Sequence, residues 1–157
     1  MNRARTVRRF LGLWLPPLAW MGVIYALSAQ PDLPHAPGPW FDSLLKKMAH
    51  ALEYALLSWL LLRALRGHSG PSKGLRVTSV ILGLLYAVSD EYHQTFVPGR
   101  HGDPLDVAID TLGMCGAMGL DAWWARRRQS HQAALAGSPP RHQAQDSPHP
   151  DPQTPAR

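Results

Sequence analysis

The stretch F-L-G-L-W-L-P-P-L-A-W-M-G-V-I-Y-A-L-S-A, Phe10 to Ala29, decides the class of fold to which this chain belongs. Its 20 residues contain no charged side chain, and an α-helix needs about 20 apolar residues to cross a bilayer. Four arginines precede the stretch, as they would in a secretory signal peptide. The stretch is longer than the core of a usual signal peptide, and more apolar segments follow it. It therefore predicts an uncleaved first transmembrane helix.

Three further apolar segments follow, at Leu44 to Leu65, Leu75 to Phe96 and Leu105 to Trp124. The helices of a soluble bundle need polar outer faces, and the run L-L-S-W-L-L-L from Leu56 to Leu62 offers almost none. The sequence therefore predicts an all-α membrane protein in which four transmembrane helices form an antiparallel bundle. The predicted helices cover residues 10–29, 44–66, 75–96 and 104–125.

The lysines and arginines predict how these helices cross the membrane. Basic residues precede the first helix, separate the second from the third and follow the fourth. Cytoplasmic loops are enriched in Lys and Arg, so both termini are predicted to be cytoplasmic in a multi-pass protein of the cytoplasmic membrane. Topology and anionic lipid then account for the formal net charge of +5, and no nucleic-acid partner is predicted. The basic residues that flank the helices on the predicted cytoplasmic side are Arg3, Arg5, Arg8, Arg9, Arg63, Arg66, Lys73, Arg76, Arg126, Arg127 and Arg128.

Three regions of different composition divide the chain. Residues 1–9 are a basic cytoplasmic N-terminus, and residues 10–125 are the membrane domain. Residues 126–157 begin with an arginine cluster and continue as a segment rich in Pro, His and Gln without apolar periodicity. Such a segment buries too little apolar surface to offset the entropy lost on ordering. A disordered cytoplasmic tail is therefore predicted from Gln129 onward.

Capping and turn residues predict where the helices begin and end. Asp42 or Ser43 suits the start of the second helix, and Gly67 suits its end. Pro98-Gly99 fits the central positions of a type II turn after the third helix. The stretch from Asp103 to Asp106 predicts a cap, a proline at the first helical position and an acid that completes a capping box. The short connection makes the third and fourth helices antiparallel neighbours.

Ionisable residues interrupt the last three apolar segments, and within each segment several of them share one helix face. On the third helix Asp90 and His93 share a face, from which Glu91 and Gln94 are rotated by about 100°. Such residues in spanning helices almost always face the bundle interior or a wet cavity. We therefore predict one polar pocket between the second, third and fourth helices, open to the outer side, with Glu53, Asp90 and Asp110 in one water-accessible cavity. Arg100 is predicted to turn back over the acids of the third helix. The candidate ligand-binding residues are His50, Glu53, Asp90, Glu91, His93, Gln94, Arg100, Asp106 and Asp110.

Four motifs occur in order along the predicted membrane domain. They are W-M-x-x-I-Y-x-x-S (Trp20 to Ser28), K-x-x-H-x-x-E-Y (Lys47 to Tyr54), S-D-E-x-H-Q-x-F-V-P-G-R (Ser89 to Arg100) and D-x-x-D-V-x-x-D-x-x-G (Asp103 to Gly113). By these motifs the chain resembles the VanZ-like family of small membrane proteins, named for a protein associated with low-level resistance to the glycopeptide teicoplanin. The resemblance implies a fold and a cell-envelope context but no particular reaction. It places the family's characteristic polar positions at Lys47, His50, Glu53, Asp90, Glu91, His93, Gln94, Arg100, Asp106 and Asp110.

The preferred hypothesis is a non-enzymatic envelope protein. Its partners would be membrane lipid and a lipid-linked cell-wall precursor, a phosphorylated lipid or another cell-wall-related group. Arg100 would hold a phosphate or carboxylate of that ligand, and the acids would receive a cation or an amine. Such binding would influence susceptibility to teicoplanin, as the resemblance implies.

Two alternatives remain open. In the first, the pocket is an intramembrane enzyme acting on a phosphorylated lipid, where Asp90, Glu91 and Asp106 hold a divalent cation such as Mg²⁺ and His93 or Glu53 moves a proton. Against this alternative, the sequence has no nucleophile with a recognisable base, no phosphate-binding loop and no H-E-x-x-H pair. In the second, the polar cluster is a purely structural lock between helices. The sequence assigns no catalytic residue and no cofactor.

Overall fold

The computed structural model of the protein describes residues 3–31, 38–70, 72–100 and 102–136. These residues form four α-helices and no β-strand, so the predicted all-α class is confirmed. The helices are α1 (Arg3–Ser28), α2 (Pro39–Ser69), α3 (Lys73–Gln94) and α4 (Pro104–Ala136).

Among the described residues, α1 is the one helix that is long and apolar enough to cross a membrane, judged by length and composition alone. It begins at Arg3 instead of the predicted residue 10, so the arginines before the apolar stretch belong to its first turns. Arginine is a good helix former, which explains the earlier start. Pro16 and Pro17 lie inside the helix, and Pro17 is buried. Charged and polar side chains within α2, α3 and α4 lower the mean hydropathy of those helices.

Helix α2 is longer than predicted at both ends. It begins at Pro39, after Gly38 with a φ of 92°, so neither Asp42 nor Ser43 is its cap. A proline suits the first helical position because it has no N–H to leave unbonded there. The helix also continues past Gly67 and ends before Gly70, which has a φ of 74° and whose N–H donates to the carbonyl of Arg66 at 3.0 Å.

Gly67 lies inside α2 for a packing reason. A Cβ atom at this position would lie 2.5 Å from the side chain of Leu13, so the glycine lets α1 approach α2 closely. Gly70 meets the requirement for a positive φ that ends the helix. The prediction that Gly67 ends the helix was wrong because close helix packing and a helix end favour the same residue type.

The connection between α3 and α4 follows the sequence prediction. The N–H of Arg100 donates to the carbonyl of Val97 at 3.1 Å, and Gly99 has a φ of 80°. A positive φ at the third residue of a hydrogen-bonded turn is the mark of type II geometry. Helix α4 then begins at Pro104, as predicted, and the Asp103 carboxylate accepts the N–H of Leu105 at 2.9 Å.

Helix α4 extends to Ala136 instead of ending near residue 125. The prediction of disorder from Gln129 onward is therefore wrong for residues 129–136, and residues 137–157 lie outside the described residues. Arg, Gln and Ala dominate the added turns, and all three favour helix. By compactness the chain divides into two units, residues 1–122 and 123–157. In the second unit the Arg127 guanidinium lies 4.2 Å from the ring centroid of Trp123.

Small residues allow the helices of the first unit to pack closely. A Cβ atom on Gly113 of α4 would overlap the backbone carbonyl of Ala51 in α2. A Cβ atom on Gly83 of α3 would overlap the sulfur of Met114 in α4. Close backbone approach at glycine is typical of helices that pack by van der Waals contact. The buried apolar core beside these contacts consists of Ile24, Tyr54, Leu57, Leu61, Ala87 and Met114.

Hydrogen bonds between the helices show the directions in which neighbouring helices run. Arg9 of α1 donates to the carbonyl of Gly67 at 2.8 Å, whereas Trp20 donates to the carbonyl of Glu53 at 3.0 Å. Residue numbers therefore rise along α1 while they fall along α2. The Tyr86 hydroxyl of α3 donates to the carbonyl of Met21 at 2.7 Å, near the middle of α1. These contacts fix α1 against both α2 and α3.

Candidate functional site

A cavity of about 640 Å³ opens beside the first half of α2. Its walls come from the end of α1, from α2, from the last residue of α3, from the connection to α4 and from the first turn of α4. The end of α1 was not predicted to take part. The ionisable or amide side chains that line the cavity are Asp42, Lys46, Lys47, His50, Glu53, Gln94, Arg100, Asp103 and Asp106.

Most charges on the cavity wall are paired with one another. Lys47 contacts the Asp106 carboxylate, and its ammonium nitrogen lies 3.5 Å from Asp103. Lys46 lies 2.7 Å from Asp42, one helical turn earlier. The predicted capping box at the start of α4 is therefore only half present, because Asp106 points to Lys47 and not to the backbone of Asp103. Lys47 thus ties α2 to the first turn of α4.

Glu91 supplies the missing part of the α4 cap from another helix. Its carboxylate accepts the backbone N–H of Asp103 at 2.8 Å, and its side chain is buried. The Gln94 amide donates to Glu91 at 3.2 Å and to Asp90 at 3.3 Å. A Cβ atom on Gly102 would lie 2.6 Å from the Glu91 carbonyl, so the connection passes close to α3. Glu91 therefore fastens the end of α3 to the start of α4.

Arg100 contacts the end of α1 instead of the acids of α3. Its guanidinium donates to the carbonyls of Gln30 at 3.0 Å and Leu27 at 3.2 Å. A third bond reaches the Gln94 side chain at 3.1 Å, and through Gln94 Arg100 is linked to Asp90 and Glu91. The last carbonyls of a helix lack intrahelical donors, which makes them good partners for an arginine. Arg100 thus joins the end of α1 to the last residue of α3 while lining the cavity.

Asp90 and Asp110 are buried and do not line the cavity. Asp90 accepts the hydroxyl of Ser28 at 2.7 Å, and Asp110 lies 3.5 Å from the Nδ1 of His50. Asp90 Oδ1, Asp110 Oδ1 and the Tyr54 hydroxyl are buried and have no hydrogen-bond partner among the described residues. Of the three acids expected in one cavity, the structure places only Glu53 on the wall. Asp110 contacts His50 and Asp90 contacts Gln94, and both of these partners line the cavity.

Glu53 differs from every other acid on the wall. Its side chain is half-buried and lines the cavity. Its backbone carbonyl accepts the Trp20 indole N–H. Among the described residues, however, its carboxylate takes part in no hydrogen bond or ion pair, whereas Asp42, Asp103 and Asp106 all do. Glu53 is therefore the acid whose carboxylate is available to a ligand.

His93 lies away from the cavity. Its ring stacks on Tyr25 of α1, with centroids 4.6 Å apart and an interplanar angle of 29°. Its Nε2 atom is buried and has no hydrogen-bond partner in the described part of the chain. Placing His93 on the same face of α3 as Asp90 did not reveal that α1 covers that face. The contacts of His93 give it a place in helix packing.

The sequence contains a pattern that indicates the contribution of α1 to this region. Trp20, Ile24 and Ser28 follow one another at intervals of four residues, so they share a helix face. Trp20 bonds to α2, Ile24 is fully buried and Ser28 bonds to Asp90 of α3. A polar residue at the end of an otherwise apolar stripe could have indicated a buried contact.

The three acids considered as metal ligands contact separate partners. Asp90 bonds to Ser28 and Gln94, Glu91 bonds to Asp103 and Gln94, and Asp106 bonds to Lys47. Within residues 3–31, 38–70, 72–100 and 102–136, no group of three or more His, Cys, Asp or Glu side chains is arranged to hold a metal ion. The donor set does not converge on one point, so the residues present do not fit a Mg²⁺ site.

A second charged cluster lies at the other end of these helices. The Arg66 guanidinium of α2 donates two hydrogen bonds to the Asp121 carboxylate, at 2.7 and 2.6 Å. Arg76 of α3 donates a third at 2.8 Å. Paired N–H groups of arginine match the two oxygens of a carboxylate, which makes this arrangement geometrically specific. Asp121 of α4 therefore joins α2, α3 and α4.

Comparison with known proteins assigns the chain to a family. The family model described as VanZ/LLP1 matches residues 3–124, which include α1, α2, α3, the part of α4 up to residue 124 and every residue on the cavity wall. No match was found among curated proteins or among solved structures. The resemblance deduced from the four motifs is thus confirmed, and the chain belongs to the VanZ/LLP1 family.

Proposed function

We propose that the four helices span the cytoplasmic membrane as an antiparallel bundle with both termini cytoplasmic. Many large apolar side chains on all four helices are more than a third exposed, among them Leu15, Leu52, Leu85 and Leu112. A soluble protein rarely leaves so much apolar surface in contact with water. The opposite order of contacts along α1 and α2 also supports alternating directions. The lysines and arginines favour the cavity facing outward.

We also propose that the cavity binds a lipid-linked or otherwise cell-wall-related ligand, and that this binding influences susceptibility to teicoplanin. The observation that carries the proposal is the carboxylate of Glu53, which has no hydrogen-bond or ion-pair partner in the part of the chain that the structure describes. A half-buried carboxylate without a partner is unfavourable, because it loses hydration without gaining a hydrogen bond. A ligand amine or other donor would satisfy it. The chain therefore keeps a destabilising group at the position where a ligand can contact it.

Arg100 provides a second point of contact. An arginine has five N–H donors, and three hydrogen bonds from Arg100 reach Gln30, Leu27 and Gln94. The remaining donors are available to a phosphate or a carboxylate at the cavity wall. Because the three existing bonds hold the guanidinium in place, it needs little reorganisation to receive an anion. Glu53 and Arg100 together favour a ligand that carries both charges.

The experiment compares the two glutamates of the chain. A deletion strain is complemented with wild type, Glu53→Gln or Glu91→Gln, and membrane level and teicoplanin sensitivity are measured together. We expect Glu53→Gln to accumulate like wild type but to fail in complementation, because only the ligand contact is lost. We expect Glu91→Gln to accumulate less, because its carboxylate caps α4. Full complementation by Glu53→Gln would contradict a binding role for this residue.

A structural role is the second candidate for part of the polar cluster. Asp90, Glu91 and Gln94 bond to one another or to neighbouring helices, and all three are buried. Groups that are satisfied internally stabilise helix contacts without needing a ligand. If Glu53→Gln also fails to accumulate in the membrane, Glu53 is part of the structural cluster that stabilises helix contacts, and the binding proposal fails.

A further inference from the structure

A second cavity lies next to the first, between the end of α3 and the start of α4. Its volume is about 360 Å³. Val88 and Tyr92 of α3 form one wall and Pro104 and Val107 of α4 form another. Val88 is 52% exposed and Tyr92 is 68% exposed. We call this cavity the α3–α4 groove. It is an apolar depression on a surface that, in the proposed topology, faces lipid.

The groove adjoins the polar cavity at Asp103. Asp103 lines both, Glu91 lines the groove and Gln94 lines the polar cavity. The hydrogen bonds from Gln94 to Glu91 and from the Asp103 N–H to Glu91 form the boundary between them. A molecule in the polar cavity could therefore extend an apolar part into the groove by passing Asp103.

The charges of the polar cavity specify the polar part of such a molecule. Lys46 is paired with Asp42, and Lys47 is paired with Asp103 and Asp106. Glu53 is left as an anion without a partner among the described residues, and Arg100 is left as a cation bonded to neutral groups. One negative and one positive group favour a zwitterion over a purely anionic or cationic ligand.

We propose that the ligand is a single zwitterionic lipid with a free amine. Its ammonium group contacts Glu53, its phosphate contacts Arg100 and its hydrocarbon chain lies in the α3–α4 groove. Entry is sideways from the bilayer, between α3 and α4. This inference rests on the proposed binding function, and it adds the chemical class of the ligand and its route into the cavity.

The test measures lipid binding to the full-length protein by native mass spectrometry in detergent. The probes are phosphatidylethanolamine, phosphatidylcholine, phosphatidylglycerol and glycerophosphoethanolamine, which is the same headgroup without chains. We expect phosphatidylethanolamine to bind about tenfold more tightly than either other lipid. Phosphatidylcholine has no N–H to donate to Glu53, and phosphatidylglycerol has no cation. Equal binding of the three lipids would overturn the assignment of the headgroup.

Two tryptophan variants of α3 test the groove. Val88→Trp fills it, whereas Ile81→Trp changes a residue of equal exposure, 51% against 52%, on the same helix. The two positions are seven residues and so about 10 Å apart. We expect Val88→Trp to weaken phosphatidylethanolamine binding about tenfold and Ile81→Trp to leave it unchanged. Unchanged binding to Val88→Trp would place the chain elsewhere and overturn the inference.

The remaining outcomes separate this inference from the function on which it rests. If glycerophosphoethanolamine binds as tightly as the intact lipid, the ligand is a soluble zwitterion and the lipid assignment is wrong, while the role of Glu53 stands. If no probe binds but Glu53→Gln still fails to complement at a normal membrane level, the cavity functions with a different ligand. If Glu53→Gln complements fully, the proposed function itself fails.

Discussion

The two ends of the first unit differ in how completely their acidic side chains are paired. At one end Asp121 receives three hydrogen bonds from Arg66 and Arg76, and its carboxylate is fully used. At the other end Glu53 lines a cavity with no partner for its carboxylate among the described residues. Both ends join the same helices, so helix packing alone does not require an unpaired acid. The difference supports the proposal that the Asp121 end only holds the helices together whereas the cavity end also receives a ligand.

The largest effect is expected when the charged cluster of Asp121, Arg66 and Arg76 is disrupted. Asp121→Asn leaves two arginines with one neutral amide, so the free energy of unfolding should fall by roughly 1–3 kcal/mol. The measurement is the unfolding temperature of purified protein in detergent. An unchanged unfolding temperature would mean that this end does not hold α2, α3 and α4 together.

A smaller effect is expected at Arg100. Arg100→Lys keeps the charge but cannot reproduce three divergent N–H bonds, so the unfolding free energy should fall by about 1–2 kcal/mol. Arg63→Lys is the matched control, because Arg63 is exposed and forms no hydrogen bond or ion pair with another helix within the described residues. If both variants behave alike in thermal unfolding, the bonds from Arg100 to the end of α1 contribute nothing measurable.

The smallest effect is expected at Lys46. Its pair with Asp42 spans one helical turn on a partly exposed surface, and such pairs contribute about 0.3–0.5 kcal/mol. Lys46→Gln should therefore lower the unfolding free energy by that amount at low salt and by less at high salt, because salt screens exposed charges. If Lys46→Gln lowers the unfolding free energy as much as Asp121→Asn does, the ion pairs of the cavity wall stabilise the helices as strongly as the Asp121 cluster.

The elements that follow from local chemistry were predictable from the sequence. The Pro98-Gly99 turn and the start of α4 at Pro104 depend on backbone preferences of the residues themselves. The cap that Glu91 provides for α4 and the bonds from Arg100 to α1 depend instead on residues distant in sequence. These bonds use backbone groups, namely the carbonyls of Leu27 and Gln30 and the N–H of Asp103. Every residue has a backbone carbonyl, and every residue except proline has an N–H, so the sequence does not indicate these bonds. That is why Arg100 was predicted to contact acids.

The same reason explains the error over the buried acids. Helical spacing placed Asp90, Asp110 and Glu53 on inward faces, which is correct for burial of the two aspartates. Spacing does not specify which neighbouring helix covers each face. Ser28 of α1 covers Asp90 and His50 covers Asp110, so only Glu53 lines the cavity. Glu53 differs from the other acids on the wall because they are paired, and the sequence does not show that pairing.

The most direct test of the account is the unfolding temperature of Glu53→Gln beside that of wild type, in detergent without added ligand. Neutralising an unpaired, half-buried carboxylate removes an unfavourable charge, and binding groups are commonly kept at a cost in stability. We therefore expect an unfolding temperature equal to that of wild type or higher. A decrease as large as that of Asp121→Asn would show that Glu53 holds the helices together and would contradict its assignment to a ligand.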